Sequence, residues 1–179
     1  MAASCSVRDM HLRVAVLITL GASACGGSSS TPDGPVASGS GTSVSGTLGA
    51  LGAAQPTVSS LMISNSGETL IYLSSGPITC AQLMVSRWLG GTTAGTQVVE
   101  LVFHGTPALG DIQVPPGEVN YAPGGMSSSH EISADSGKIT FTEATANTSA
   151  AGTFTGTYGS SDTITGSFHA TFCAGGQGY

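Results

Sequence analysis

The stretch at residues 163–173, TITGSFHATFC, has the clearest alternation of apolar and polar positions in the chain. Ile164, Phe168 and Phe172 fall on one face of an extended strand, whereas hydroxyl-bearing and imidazole side chains fall on the other. This period of two predicts a strand with one buried face and one solvent-facing face. Cys173 has the parity of the solvent-facing side, so we expect the strand to end or bend there.

Short runs of apolar and β-branched residues recur through the rest of the chain, bounded by Gly, Ser, Asn, Asp or Pro. Two such runs flank Asn65-Ser66-Gly67, which predicts a hairpin with a three-residue turn. The second arm is apolar on both faces, so we expect it at the centre of a sheet. The predicted strands span 58–64, 68–74, 97–104, 111–114, 118–121, 128–134, 138–144, 153–158 and 163–173.

Two segments interrupt this pattern. Residues 81–88, AQLMVSRW, fit either a strand or one helical turn, because the apolar spacing does not separate the two periods. Pro115-Pro116-Gly117 places the strands on either side of it at an edge or a turn. Short strands joined by Gly and Ser turns predict an all-β domain, either an antiparallel β-sandwich or a small β-barrel.

The first 24 residues have the pattern of a secretory signal peptide. Arg8 and Arg13 precede a short apolar run at 14–20, and small residues follow as far as Ala24. The apolar run is shorter than the roughly 20 residues that a membrane-spanning helix needs. We therefore expect residues 1–24 to be removed on export.

Cys25 follows these small residues directly and precedes Gly26. Ala22-Ser23-Ala24-Cys25 resembles the lipobox of bacterial lipoproteins, with Ala22 where Leu is usual. The resemblance implies that Cys25 becomes the lipidated first residue, and that Gly26, rather than Asp, directs the protein to the outer membrane. Several acyl chains anchor a protein stably. Ordinary signal peptidase cleavage after Ala24 is the open alternative, which predicts a secreted or periplasmic protein.

Residues 26–45 contain almost nothing to bury, because Gly, Ser, Thr and Pro dominate them. This composition predicts a flexible tether with a span of roughly 25 Å. The predicted organisation is a signal peptide at 1–24, the lipidated cysteine and linker at 25–45, and a single all-β domain at 46–179.

Charge is sparse beyond the signal peptide, where Arg87 and Lys138 are the basic residues and acidic residues outnumber them. Nucleic acid is not expected as a partner, since the Lys/Arg footprint that phosphates require is missing. Apolar residues recur throughout 58–172, which argues against disorder. The expected membrane contact is the N-terminal lipid.

Cys80 and Cys173 are the cysteines that remain once Cys5 has left with the signal peptide and Cys25 is lipidated. An even pair in an exported chain predicts a disulfide. A metal site is the weaker alternative, because the two cysteines lie far apart and neither belongs to a CxxC pair. We expect no cofactor.

The sequence contains no G-x-S-x-G, S-x-x-K, H-E-x-x-H, GxGxxG or P-loop motif of the kind that marks catalytic sites. We expect His104, His130 and His169 to be solvated or turn-capping, and most aromatic side chains to fill the core. An aromatic sugar- or peptide-binding surface is the alternative. It would draw on Tyr72, Trp88, Tyr121, Tyr158 and Tyr179.

The C-terminal run Gly166-Ser167-Phe168, with Ala170, Phe172 and Cys173, resembles the last strand of many small uncharacterised bacterial lipoproteins. This resemblance brings no known activity with it. The signal peptide, Cys25, the Gly/Ser tether and the lack of a catalytic motif together predict a non-catalytic binding or structural β-domain displayed from the outer membrane, with a protein or glycan ligand left open. The alternative function is a secreted hydrolase, in which folding brings carboxylates and histidines together.

Overall fold

The computed structural model describes residues 41–49, 53–54, 59–65, 67–85, 95–124 and 131–174. Strands account for most of it and helix for very little, so the predicted all-β class is confirmed. The predicted signal peptide, Cys25 and the predicted linker as far as residue 40 lie outside the described residues.

The described residues form ten strands and one short helix. In chain order these are β1 (Ser43–Thr47), β2 (Ser59–Asn65), β3 (Glu68–Ser74), α1 (Cys80–Val85), β4 (Val98–His104), β5 (Gly110–Val114), β6 (Glu118–Ala122), β7 (Ile132–Ser133), β8 (Ser136–Thr145), β9 (Ser149–Tyr158) and β10 (Asp162–Phe172).

All ten strands belong to one sheet, which is curled into a half-barrel. The strand order is β5-β8-β9-β10-β2-β3-β4-β6-β7, and β1 pairs with β10 as a side branch. The pairings are antiparallel except for a short parallel contact in which Thr171 and Phe172 of β10 lie opposite Leu61 and Met62 of β2. Curling thus replaces the two separate layers that a sandwich would have.

The predicted first hairpin is confirmed, with β2 and β3 in register from Ser59–Ser74 to Asn65–Glu68. Gly67 has a φ of 90°, a conformation that costs glycine little. β3 lies between β2 and β4 and is buried on both faces, as its apolar pattern predicted.

The described strands start earlier than the predicted domain boundary at residue 46. β1 begins at Ser43 and pairs along its length with Thr163–Ser167 of β10. Val44 packs against the core, and Leu48 just beyond the strand is 5% exposed. The sequence pattern did not predict this strand, because its polar positions are Ser and Thr, which also dominate the predicted tether.

The ambiguous segment at 81–88 is helical where the structure describes it, as α1. Thr79 caps the helix: the Gln82 backbone N–H donates to Thr79 Oγ1 at 3.3 Å, and the Thr79 N–H donates to Gln82 Oε1 at 2.7 Å. This reciprocal capping box, T-x-x-Q, is the helix-start signal that the apolar spacing did not contain.

Two other strands have a boundary that differs from prediction by more than two residues. β7 covers only Ile132–Ser133 of the predicted strand at 128–134, of which residues 128–130 lie outside the described part. β9 begins at Ser149 rather than at residue 153, because Ser149–Gly152 continues the ladder with β10 and Ala150 is fully buried.

The inner face of the half-barrel carries the main core, which draws on nearly every strand. Its centre is an aromatic row in which Phe141 meets Phe103 and Phe168 edge-to-face, at centroid distances of 5.1 and 5.5 Å. The alternation predicted for the last strand is confirmed, since Ile164, Phe168 and Ala170 are buried in this core.

A second apolar layer covers the outer face of the central strands β2, β3, β4 and β6. Ile78 and Leu83 bring the segment around α1 onto this face. The layer consists of Leu61, Ile63, Leu70, Tyr72, Ile78, Leu83, Val98, Val102, Ala122 and Cys173, with Cys80 packed against it. Burial on both faces explains why the central strands read as continuous apolar runs.

Glycine and phenylalanine face each other twice across β9 and β10, as Gly166 opposite Phe154 and Gly152 opposite Phe168. An added Cβ at Gly166 would lie 2.6 Å from Phe154 Cε1 and would also overlap the Ser43 carbonyl oxygen of β1. The missing side chain therefore makes room for both the ring and the neighbouring strand.

We expect Gly166→Ala to lower the free energy of unfolding by about 1–3 kcal/mol, the usual cost of overpacking. Gly124→Ala is the matched control, because an added Cβ there meets nothing within 4 Å. Its effect should stay within about 0.5 kcal/mol. Chemical denaturation measures both, and equal effects would contradict the steric account of Gly166.

Candidate functional site

The disulfide predicted from sequence is present between Cys80 and Cys173, with 5.3 Å between the two Cα atoms. Cys173 follows the end of β10, and its backbone N–H donates to the Met62 carbonyl at 2.8 Å. Cys173 is 1% exposed because the second apolar layer covers the side of β10 that the sequence pattern assigned to solvent. The bond joins α1 to the end of the last strand.

Disulfides persist in oxidising compartments, so the Cys80–Cys173 bond indicates a location outside the cytoplasm.

The described histidines do not come together as a site. His104 is exposed at the end of β4, in agreement with its predicted solvation. His169 is half-buried on β10, where its backbone N–H donates to Thr42 Oγ1 at 3.1 Å. His130 lies outside the described residues. Within the described ranges, no group of three His, Cys, Asp or Glu side chains is placed to hold a metal ion.

A buried polar group that the sequence analysis missed lies on the outer face of β4 and β6. Glu100 is 1% exposed and stands in register between Tyr72 on β3 and Asn120 on β6. The Asn120 Nδ2 group donates to Glu100 Oε2 at 3.3 Å and to Glu118 Oε2 at 3.1 Å, so one amide bridges two carboxylates. The available signal was a single acid inside the apolar run QVVELVF.

A hydrolase would need a pair of carboxylates that substrate can reach. Glu118 is exposed, but the burial of Glu100 keeps its carboxylate from any substrate in solvent. Asn120 is 2% exposed, and it fills the space between the two acids. The geometry fits a polar contact buried within the sheet better than a pair of catalytic acids open to substrate.

A face rich in hydroxyl groups covers the outer side of β1, β10, β9 and β8, and we call it the hydroxyl face. Its members are Ser43, Ser45, Thr47, Ser136, Thr140, Thr153, Thr155, Thr157, Thr163, Thr165 and Ser167. Neighbouring hydroxyls bond to each other across strands, with Ser43 Oγ 2.9 Å from Ser167 Oγ and Ser45 Oγ 3.3 Å from Thr165 Oγ1.

Among the described residues, one ion pair includes a member of this face, because Lys138 on β8 stands in register with Thr155. Lys138 Nζ lies 3.1 Å from Asp111 Oδ2, and Thr140 Oγ1 donates to Asp111 Oδ1 at 2.7 Å. The Thr140 hydrogen bond, followed by the contact with Lys138, holds the pKa of Asp111 below its ordinary value. All three side chains are on the surface, so the pair contributes little to stability.

The described tyrosines lie in the interior, as predicted for most aromatic residues. Tyr72, Tyr121 and Tyr158 are buried, and Tyr158 donates its hydroxyl to the Val119 carbonyl at 3.1 Å. Burial raises the pKa of both Tyr121 and Tyr158. These three rings therefore do not form a binding surface, and Trp88 and Tyr179 lie outside the described residues.

Comparison with known proteins finds no matching family model, no similar curated protein and no similar solved structure. The described part of the chain contains no pocket. It also contains no helix of the length and apolar character needed to cross a bilayer.

Proposed function

We propose that this protein is a cell-envelope lipoprotein: exported, cleaved before Cys25, lipidated there and held at the outer membrane by the lipid. The observation that carries the export step is the Cys80–Cys173 disulfide, because such bonds are rare in the reducing cytoplasm. The signal-like residues 1–24 and the Ala22-Ser23-Ala24-Cys25 motif support the lipid anchor.

The start of β1 defines the length of the proposed tether. The segment between Cys25 and Ser43 is rich in Gly and Ser, and a flexible chain of that length spans roughly 20–25 Å. The tether would therefore let the domain stand clear of the lipid headgroups while staying close to the membrane.

The proposed role of the domain is binding or structural rather than catalytic. The hydroxyl face supports this role, because its exposed side chains donate and accept hydrogen bonds but carry almost no charge. A protein or a glycan with neutral polar groups is the kind of ligand that such a surface suits. The burial of the central strands on both faces also supports a structural role, to a smaller extent.

We expect Cys25→Ser to release the protein from membranes, because the acyl chains can no longer be attached. The wild-type protein should remain in the membrane pellet after high-salt and alkaline washes and dissolve only in detergent. Cys5→Ser is the matched control, since Cys5 leaves with the signal peptide, and it should leave the partition unchanged. Release of the wild type by salt alone would contradict lipid anchoring.

A further inference from the structure

The sequence Asn147-Thr148-Ser149 fits N-x-S/T, the acceptor pattern for N-linked glycans in exported proteins. The other two asparagines do not fit, because Asn65 has Gly67 and Asn120 has Ala122 at the second following position. The chain therefore carries a single candidate acceptor, and its place in the fold can be tested against what glycan attachment requires.

Asn147 lies at the tip of the hairpin that joins β8 to β9, and it is exposed together with Ala146 and Thr148. The turn is closed by the Thr148 N–H, which donates to the Thr145 carbonyl at 3.1 Å. Asn147 has a φ of 52°, in the left-handed region that asparagine tolerates better than most residues. A group attached to its side chain would extend into solvent and displace nothing in the core.

We propose that Asn147 is the attachment site of an N-linked glycan. Its Nδ2 atom would form a bond to the anomeric carbon of an oligosaccharide carried on a polyprenyl diphosphate. The bond between that carbon and the diphosphate oxygen breaks, polyprenyl diphosphate leaves, and the amide loses one proton to a base of the transferase. The step needs no oxidant or reductant.

The position of Ser149 bears on whether the glycan is attached before or after the domain folds. Transferases of this kind read the hydroxyl of the acceptor pattern, and here that hydroxyl belongs to the first residue of β9, which is half-buried. Ser149 is in register with Thr171 on one side and Thr145 on the other. The hydroxyl is therefore most accessible before β9 joins the sheet, so attachment belongs to export rather than to the folded protein.

This inference shares only the export step with the proposed function. The lipid would be carried by Cys25 and the glycan by Asn147, which lie on separate proteolytic peptides. Mass spectrometry can therefore find either modification without the other, and the two proposals can fail independently.

The test is peptide mass spectrometry of the full chain isolated from the envelope of the cells that produce it naturally. The peptide containing Asn147 should carry added mass with the fragment pattern of a sugar chain. Asn147→Gly should abolish that mass while suiting the left-handed turn. Ser149→Ala should also abolish it, whereas Ser149→Thr, which keeps the hydroxyl, should retain it.

An unmodified Asn147 peptide in the wild type would overturn the proposal, whatever the variants do. Retention of the sugar mass in Ser149→Ala would also overturn it, because attachment would then not follow the acceptor pattern. The folded, unglycosylated protein offered to the same cells' envelope extract should remain unmodified. Efficient modification of that folded protein would contradict transfer during export.

Discussion

Replacing Cys80 and Cys173 together with alanine is expected to lower the free energy of unfolding by about 4–5 kcal/mol. The bond joins residues separated by 93 positions, and a cross-link across a loop of that size restricts the unfolded chain by about this amount in the chain-entropy model. For a domain of this size the loss corresponds to a fall in melting temperature of roughly 10–20 °C.

The effect has a local component as well. The disulfide holds α1 against the second apolar layer, where Leu83 and Ile78 cover the outer face of β2 and β3. Without it, the described contacts that hold the segment around α1 are the Thr79 cap, the hydrogen bond from the Ile78 N–H to Ser59 Oγ and these apolar contacts. We therefore expect the double variant to bind a hydrophobic dye more strongly than the wild type at temperatures below the main transition.

Thermal unfolding followed by circular dichroism, with and without dithiothreitol, measures the contribution of the disulfide. Reduction should shift the wild-type curve toward that of the double variant, and the double variant itself should not respond to dithiothreitol. A wild-type curve that stays in place after thiol titration has shown both cysteines to be reduced would contradict the account.

Truncating Phe168 to alanine is expected to cost about 3–5 kcal/mol, the usual range for removing a buried aromatic ring. Phe168 is 2% exposed, meets Phe141 edge-to-face and lies opposite Gly152, which has no side chain to fill the resulting space. The cavity would open at the centre of the inner core, where β8, β9 and β10 meet.

Leu109→Ala is the matched control for Phe168→Ala, because Leu109 is 72% exposed and lies outside the core. Its effect should stay within about 0.5 kcal/mol. Denaturant titration of both variants, with the slopes compared, separates lost stability from a change in the unfolded state. Equal midpoints for the two variants would contradict the placement of Phe168 at the centre of the core.

The strands most readily predicted from sequence are those in which the order of apolar and polar residues reflects what each face of the strand contacts. β10 alternates because its inner face meets the core and most of its outer face meets solvent. β3 is apolar at consecutive positions from Leu70 to Leu73, because the core covers one face of the strand and the layer around α1 covers the other. In both cases a local pattern follows directly from what each face contacts.

The features that escaped prediction depend on contacts with distant parts of the chain. β1 is composed mainly of Ser, Gly and Thr, and its strand conformation depends on pairing with β10, more than a hundred residues away. The curled sheet likewise depends on β10, which pairs with β1 along one part of its edge and with β2 at its end. No local pattern encodes which strands share that edge.

The candidate sites also divide into those that the sequence predicted and those that depend on contacts between distant parts of the chain. Cys80 and Cys173 could be paired from sequence because export leaves few alternatives for two cysteines. Glu100 was not identified, because its burial follows from the register that sets Tyr72 and Asn120 beside it. The hydroxyl face was visible in the sequence only as the polar half of single strands, and it becomes a surface when β1, β8, β9 and β10 align.

The central claim, an exported chain anchored by lipid, is tested most directly by mass spectrometry of the mature N-terminus isolated from membranes. We expect the mature chain to begin at Cys25, and the mass of this cysteine to include a thioether-linked diacylglycerol. An unacylated Cys25, or a mature chain that retains residues 1–24, would contradict it.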